Sequence, residues 1–404
     1  MKGPLSGIRV LALERAIAGP YGSMVMGDLG AEVIKIEPPI FGDFSRIFPG
    51  PSYKGASFYY LAFNKNKKSL VLDLHTESGK EVFYDLVKIS DVIWDNMAPG
   101  VMNGLAMDYD SLKKINPSIV CCSITGYGQT GPYRDRPSFD VVAEAISGAM
   151  SITGEPGRPP VRYGAPIADE IGGLFGALGV VAAMAQRERT GVGTVVDVSL
   201  LDGQISTLAY HLLYYFLSQV VPEPQKSGHL SLIPYGAFET KEDYVVIGPC
   251  WPRICRVLGI EHIIDDPRFE SSESRVEHRE ELDAIIAEAF QKERAEDWLQ
   301  VLHVERIGAG PVNTLDKAAV DPQVVHRKMV VEMEHALGGK IKHVGNPVKM
   351  PEIEEEHTSP PTLGQHNEDI LAGLLGYSED KIKRLREEEE RHAPELLRSL
   401  AKSA

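Results

Sequence analysis

Cysteine is scarce: four residues in 404 are too few for a disulfide framework in a chain of this length. Cys121 and Cys122 are adjacent inside an apolar run, and Cys250 and Cys255 lack the CxxC spacing and neighbouring histidines of a zinc site. The expectation is buried, reduced thiols and no metal. Basic charge is also short. Lys+Arg 42 against Asp+Glu 57 leaves a net charge of −15, and no basic block stands out, which excludes a nucleic-acid partner. Long apolar runs are missing too. The opening MKGPLSGIRVLAL is interrupted by Arg9 and has no small-residue cleavage site, so a signal peptide is not expected. Ile171–Gln186 falls short of the ~18 residues of a membrane span, and polar residues such as Gln204 and His211 break up Gly203–Pro222. The centre of that second segment, Leu208–Leu217, reads as a buried core helix. A soluble, cytoplasmic protein with no membrane partner is expected.

Nucleotide-fold signatures are absent as well. After the first apolar strand the chain reads ERAIAGPYGS, with Gly19 and Gly22 but no GxGxxG. Glu37 ends a second strand where a ribose-binding acid would stand, yet without the glycine fingerprint it does not indicate NAD. Neither G-x-x-x-x-G-K-[ST] nor G-x-S-x-G occurs, so P-loop and hydrolase-elbow chemistry are not indicated.

What is present is a globular composition, 43% hydrophobic and 25% charged, and a length that favours two or three domains. IRVLAL (8–13) reads as a strand, a helix follows from about Tyr21 to Leu29, and AEVIKIE (31–37) is a second strand. This is a βαβ unit and predicts a parallel sheet. KSLVLDL (68–74), a helix over Glu77–Lys88, DVIWDN (91–96), a helix near Tyr109–Lys114 and SIVCCSITG (118–126) continue the alternation. The fold class is therefore α/β, with a doubly wound parallel sheet. Ligands of such sheets sit beyond the strands' carboxyl ends, which makes Glu14–Pro20, Glu37–Pro39, Asn96–Gly100 and Gly126–Gly131 candidate segments. Lys65, Lys67 and Lys68 read as solvated lysines, one of which could meet a phosphate. Gly172, Gly173, Gly176 and Gly179 interrupt a helical run; each costs ~1 kcal/mol against alanine, which suits a helix approached closely by another backbone or a ligand. VPEPQKSG (221–228) is a composition break. The expected division is 1–220, a smaller 221–322, and a 323–404 segment returning to the large domain. The charged SEDKIKRLREEEE near the end reads as a solvated helix face.

Asp169, in RYGAPIADEIGGLFGALG, stands where a loop enters the glycine-rich helix. It is open to two readings. As an N-cap it would accept a backbone N–H of the first turn. As a catalytic group it would be a carboxylate held ionised by the helix terminus and able to attack an activated acyl group.

Several segments decide between them by resemblance. PLSGIRVLAL…AGPYGSMVMGDLGAEVIKIEPP…GD, FNKNKKSLVLDL, DVIWDNMAPG and ITGYGQTGPYRDRPSFD are followed by the Asp169 segment with QRERTGVGTVVDVSLLDG, and then by GAGPVNTLDKAAVDPQVVHRKM…GNPVKM. In this order, from residue 4 to PPTLGQH at 360–366, the chain resembles class III coenzyme A transferases, the CaiB–BaiF family. The resemblance implies a Rossmann-like large domain plus a smaller α+β domain, and an interlocked homodimer. It implies coenzyme A and acyl-CoA as substrates, with no tightly bound cofactor. It implies Asp169 as nucleophile, forming first a mixed anhydride with the donor acyl group and then an aspartyl-CoA thioester. For coenzyme A it implies contacts from Arg15, Ile17 and Ala18, from Leu72, and from Asn96 and Met97. Taken alone, Leu72 and Ala18 are equally core residues and Asn96 a turn former.

The chain departs from the family pattern in places. Gly104 stands where relatives often carry a nucleotide-gripping arginine after the NxxPG turn, and Glu37-Pro38-Pro39 lacks a basic residue. Ile17 replaces the glutamine of the formyl/oxalyl branch, and Val221–Gly259 has no glycine run, which demotes oxalate and formate. The racemase branch needs a histidine where this chain has Phe139, a side chain unable to carry a proton. A coenzyme A-binding protein without catalysis would have lost the nucleophile, and Asp169 is present. The expected reaction is transfer of coenzyme A from an acyl-CoA, with succinyl-CoA as donor, to a dicarboxylic or hydroxy acid.

Overall fold

The computed structural model describes residues 3–403. Six strands form one parallel sheet: β1 Arg9–Leu13, β2 Glu32–Glu37, β3 Lys67–Val71, β4 Val92–Asp95, β5 Val120–Thr125 and β6 Val195–Ser199. Their spatial order is β3-β2-β1-β4-β5-β6, every neighbouring pair parallel. This is the doubly wound order, with its switch point between β1 and β4. The central strands are apolar on both faces. Leu11, Leu13 and Ile93 face one core and Val10, Ala12 and Trp94 the other, as expected of a sheet covered by helices on both sides.

Helix α1 (Ala18–Asp28) follows β1, and α2 (Glu77–Lys88) follows β3, its N-terminus capped by Thr76 Oγ1 accepting the Gly79 N–H at 3.0 Å. Next come α3 (Asp140–Ser147), α4 (Ile167–Thr190) and α5 (Leu200–Thr207). The glycines of α4 report close approach. A Cβ on Gly173 would stand 2.6 Å from the Ala18 carbonyl oxygen and 2.9 Å from the Gly22 nitrogen, and one on Gly176 2.7 Å from the Trp94 ring. The expected neighbouring backbone is therefore α1.

Helix α4 has 24 residues and, by length and composition, could cross a membrane, with mean hydropathy 1.6 over its most apolar window. The segment is therefore not too short for a span, as its uncharged centre had suggested, because Ile167–Glu170 and Arg187–Thr190 extend the helix at either end. Its glycine face packs against α1 and the sheet instead, as in a core helix.

Residues 3–147, 164–207 and 327–403 belong to this unit, and 148–163 with 208–326 form a second. The division falls at Leu208 rather than near 220, and the composition break at 221–228 lies inside the second unit. Its longer segment holds α6 (Ala209–Ser218), β7 (Gly236–Glu239), β8 (Tyr244–Ile247), α7 (Arg279–Phe290), α8 (Ala295–Val304) and β9 (Ala309–Pro311). β9, β8 and β7 make an antiparallel sheet over a core that includes Phe238, Phe269, Phe290 and Trp298. Contrary to the core-helix expectation, α6 has no buried residue, and Phe216 and Leu217 are 62% and 79% exposed. Its apolar residues go all round, and its own unit supplies no cover.

The chain then returns to the first unit with the hairpin β10 (Val330–Glu334) and β11 (Lys340–Val344), and ends in α9 (Glu379–Ser403). The charge run of α9 is only partly solvated. Glu389 is buried and accepts the Asp73 N–H at 3.1 Å, and His392 lies 2.6 Å from the Asp73 carboxylate. All four cysteines are free and buried.

Candidate active site

The carboxyl ends of β1 and β4 meet at the switch point, and two turns leave it side by side. Arg15 donates its N–H to Asn96 Oδ1 at 2.9 Å, and Asn96 Nδ2 returns a hydrogen bond to the Arg15 carbonyl at 2.9 Å. Ile17 precedes the first turn of α1 and Ala18 opens it. Helix α4 starts nearby. Gly172 lies against Leu200 and Ile124 at the carboxyl ends of β6 and β5, and Gly173 against Ala18. Asp169 precedes Gly173 by four residues and so shares its face, one turn nearer the helix start. The structure thus brings Asp169, Ile17, Ala18, Arg15 and Asn96 to one end of the sheet. Met97 is half-buried against the core, and its N–H donates to Asp95 Oδ1 at 3.1 Å. Leu72 is 1% exposed within the same core, so its side chain is a packing residue and only its backbone reaches the strand end. Gly104 is exposed with nothing within 4 Å of its Cβ position, so packing does not demand glycine there.

Asp169 is not a cap. It is the third residue of α4, and the cap is supplied from another helix. Asp140 Oδ1 accepts the Ala168 N–H at 2.8 Å and the Asp169 N–H at 3.4 Å. Nor does the helix terminus keep Asp169 strongly acidic. Burial, then the Asp140 charge, then Glu170, push its carboxyl up to about 7, because desolvation and like charges both disfavour the anion. Burial, followed by Asp140, raises Glu170 as well. A carboxylate desolvated among other anions is poised to attack a neutral acyl carbonyl, which relieves its charge. Sequence reasoning missed Asp140, since nothing in a 29-residue separation signals the contact. Phe139 beside it is 71% exposed.

The lysine reading needs correction. The side chains of Lys65 and Lys67 are fully buried, Lys65 on Asp28 at 2.5 Å and Lys67 on Glu14 at 2.7 Å; only Lys68, 43% exposed, is a surface lysine, paired with Glu32. Glu37 is equally unavailable. It is buried, with Oε1 accepting from Arg46 at 2.7 Å and from Ser69 at 2.7 Å. Although burial acts to raise Glu37, the Arg46 contacts and then Lys35 lower it overall. No group of three or more metal-ligating side chains occurs among the described residues.

The fold is mixed α/β with a parallel central sheet, and a carboxylate of raised pKa stands at its carboxyl edge. The chain matches CoA-transferase family III over residues 5–367 and belongs to that family; it is a CoA-transferase, and coenzyme A thioesters are the substrates of such enzymes. It is 37% identical to the human succinyl-CoA:glutarate CoA-transferase over 94% of this chain and 88% of that one. It is 35% identical to the succinate–glutarate CoA-transferase of Agrobacterium fabrum over 92% of this chain and 96% of that one. A solved CAIB/BAIF family protein from Brucella suis superposes with a TM-score of 0.83 at 32% identity, covering 93% of this chain and 100% of that one.

Proposed function

We propose that this protein moves coenzyme A from succinyl-CoA to a dicarboxylic or hydroxy acid, with Asp169 as the covalent nucleophile. The observation that carries the reading is the position of Asp169, in the first turn of α4 beside the Ala18 turn, with its carboxyl raised to about 7. Succinyl-CoA is favoured because the human and Agrobacterium relatives named above carry succinyl or succinate in their names, as does a Chloroflexus aurantiacus succinyl-CoA–D-citramalate CoA-transferase, 34% identical to this chain.

An Asp169 carboxylate oxygen attacks the thioester carbonyl; the C–S bond breaks, and coenzyme A leaves as thiolate, giving the acyl-aspartyl anhydride. The thiolate attacks the Asp169 carbonyl of that anhydride and releases the donor acid, leaving an aspartyl thioester. The acceptor carboxylate displaces the thiolate, which then takes the acceptor acyl group and frees Asp169. Each exchange splits a difficult transfer into easier ones through an activated carboxyl, and each develops an oxyanion that backbone N–H groups must meet. Arg15, Ile17, Ala18, Asn96, Met97 and the Leu72 backbone hold coenzyme A in this reading. The active form is an interlocked homodimer in the cytoplasm; the uncovered apolar surface of α6 supports the dimer, since single-chain proteins rarely leave such a face bare.

Intact-mass spectrometry with a panel of acyl-CoAs and hydroxylamine tests the chemistry. An activated Asp169 should be trapped as a hydroxamate ~15 Da heavier, in wild type and not in Asp169→Ala. No adduct with any acyl-CoA, together with solvent deuterium entering the α-carbon of a 2-methylacyl-CoA, would replace the transferase reading with racemisation. Sedimentation should give twice the chain mass.

A further inference from the structure

The turn between β1 and α1 is held from beneath by side chains that no substrate reaches. Lys67, fully buried, donates to Glu14 Oε1 at 2.7 Å, to the Pro20 carbonyl at 2.9 Å and to Asn64 Oδ1 at 3.0 Å. One ammonium therefore ties the residue just after β1 to the first turn of α1. Ser23 Oγ adds a second bond to Glu14 at 2.9 Å. Between those two anchor points Ala16 adopts φ +58°, a left-handed conformation that a residue with a Cβ rarely holds unless its surroundings impose it. Its N–H donates to Asp43 Oδ1 at 3.3 Å. Asp43 is itself fixed, accepting from Lys35 Nζ at 2.7 Å and from the Ser45 N–H at 2.9 Å. Arg15, next along, has both its N–H and its carbonyl engaged by Asn96.

We infer that Lys67, Asp43 and Asn96 are positioning residues that preform the Arg15–Ala18 turn as a rigid seat for coenzyme A. This rests on the reading, given above, that the turn contacts coenzyme A. Asn96 also shapes the turn, since its amide oxygen and an amide N–H are engaged by Arg15. The seat is ordered by buried charge before any ligand arrives, and binding then avoids the cost of fixing a loop. The arrangement predicts weak coenzyme A binding, with unaltered chemistry, when the ties are cut.

Calorimetric titration with free coenzyme A, alongside steady-state kinetics with succinyl-CoA, tests this in Asp43→Asn, Asn96→Ala and Lys67→Met. The expected result is a Kd for coenzyme A and a KM for succinyl-CoA raised about tenfold or more, the equivalent of about 1.4 kcal/mol, with kcat at saturation near wild type. Leu282→Ala, in the separate core of the second unit, provides matched destabilisation and should leave both constants unchanged. Should Lys67→Met fail to fold, the half-buried Asn96 and the Asp43 isostere decide. Unchanged Kd and KM in those two variants, with wild type binding coenzyme A normally, would overturn the positioning role. Wild type that binds no coenzyme A would instead overturn the reading of the turn itself. Equal losses in the Leu282→Ala control would reduce the effect to stability and also overturn the proposal.

Discussion

Two charged clusters flank the Ala18 turn, and they are built on opposite rules. Beneath it, Lys35, Lys67 and Arg46 meet Glu14, Asp43 and Glu37, three cations and three carboxylates joined at 2.7–3.7 Å. Beside it, at the start of α4, Asp169 faces the charges of Asp140 and Glu170, both of its own sign. Matched buried charges satisfy one another and freeze the backbone that carries them. Burial acts to lower Lys35, but Asp43 and then Glu14 raise it overall, so it stays charged. At Asp169 burial first, and then the like charges of Asp140 and Glu170, do the reverse: they push its carboxyl up to about 7 and disfavour its anion. One molecule thus sets opposite charges together under the Ala18 turn and like charges together at the start of α4, where the proposed nucleophile stands.

The sharpest way to break this contrast is to remove Asp169. Asp169→Ala should lower CoA transfer at least about a thousandfold while raising the melting temperature at and above pH 7, where the buried anion costs stability; retained turnover would move the nucleophile elsewhere. Next in size is the paired cluster. Lys67→Met leaves Glu14 buried without its main cation, and an uncompensated buried charge costs about 3–5 kcal/mol, measurable as a lowered denaturant midpoint. Gly173→Ala probes the contact between the two regions: a Cβ 2.6 Å from the Ala18 oxygen forces α1 and α4 apart, at about 1–3 kcal/mol.

The pH behaviour sharpens the comparison further. Asp169 titrates at about 7 in the folded chain against ~4 when unfolded. Between these values the native state holds a proton that the unfolded chain has lost. Its contribution to stability is therefore full below pH ~4 and declines as pH rises to about 7. The anion needed for attack appears over the upper part of that range, so hydroxylamine capture should rise with pH toward a plateau above about 7. Asp140→Asn keeps an acceptor for the α4 N–H groups but removes the charge, and should shift that rise to lower pH; an unmoved profile would deny Asp140 its electrostatic role. The smallest effect belongs to the surface. Lys68→Met breaks only the partly exposed pair with Glu32 and should change stability by less than about 0.5 kcal/mol.

The strand ends were legible in residue order: Glu14–Pro20, Glu37–Pro39, Asn96–Gly100 and Gly126–Gly131 lie where strands of the parallel sheet end, because apolar runs bounded by turn residues mark such strands. The four glycines of α4 announced a close neighbour, and that neighbour is α1. Charge pairing was not legible. Lys65 and Lys67 belong to a lysine-rich run that looks solvated; Lys67 enters β3 opposite Val33 and Lys65 meets Asp28 of α1, and both side chains are buried. Asp140 gave no sign of capping a helix at Ala168, 28 residues away, and α6, apolar enough for a core, lies bare on its own unit.

By itself the sequence determined the alternation of strands and helices, the parallel sheet and the family, because these follow from local periodicity and from motifs read in order. Only the tertiary structure decided which charges meet their opposites and which meet their own sign. Burial and pairing depend on side chains brought together from distant segments by the sheet, and local pattern carries no record of those distances.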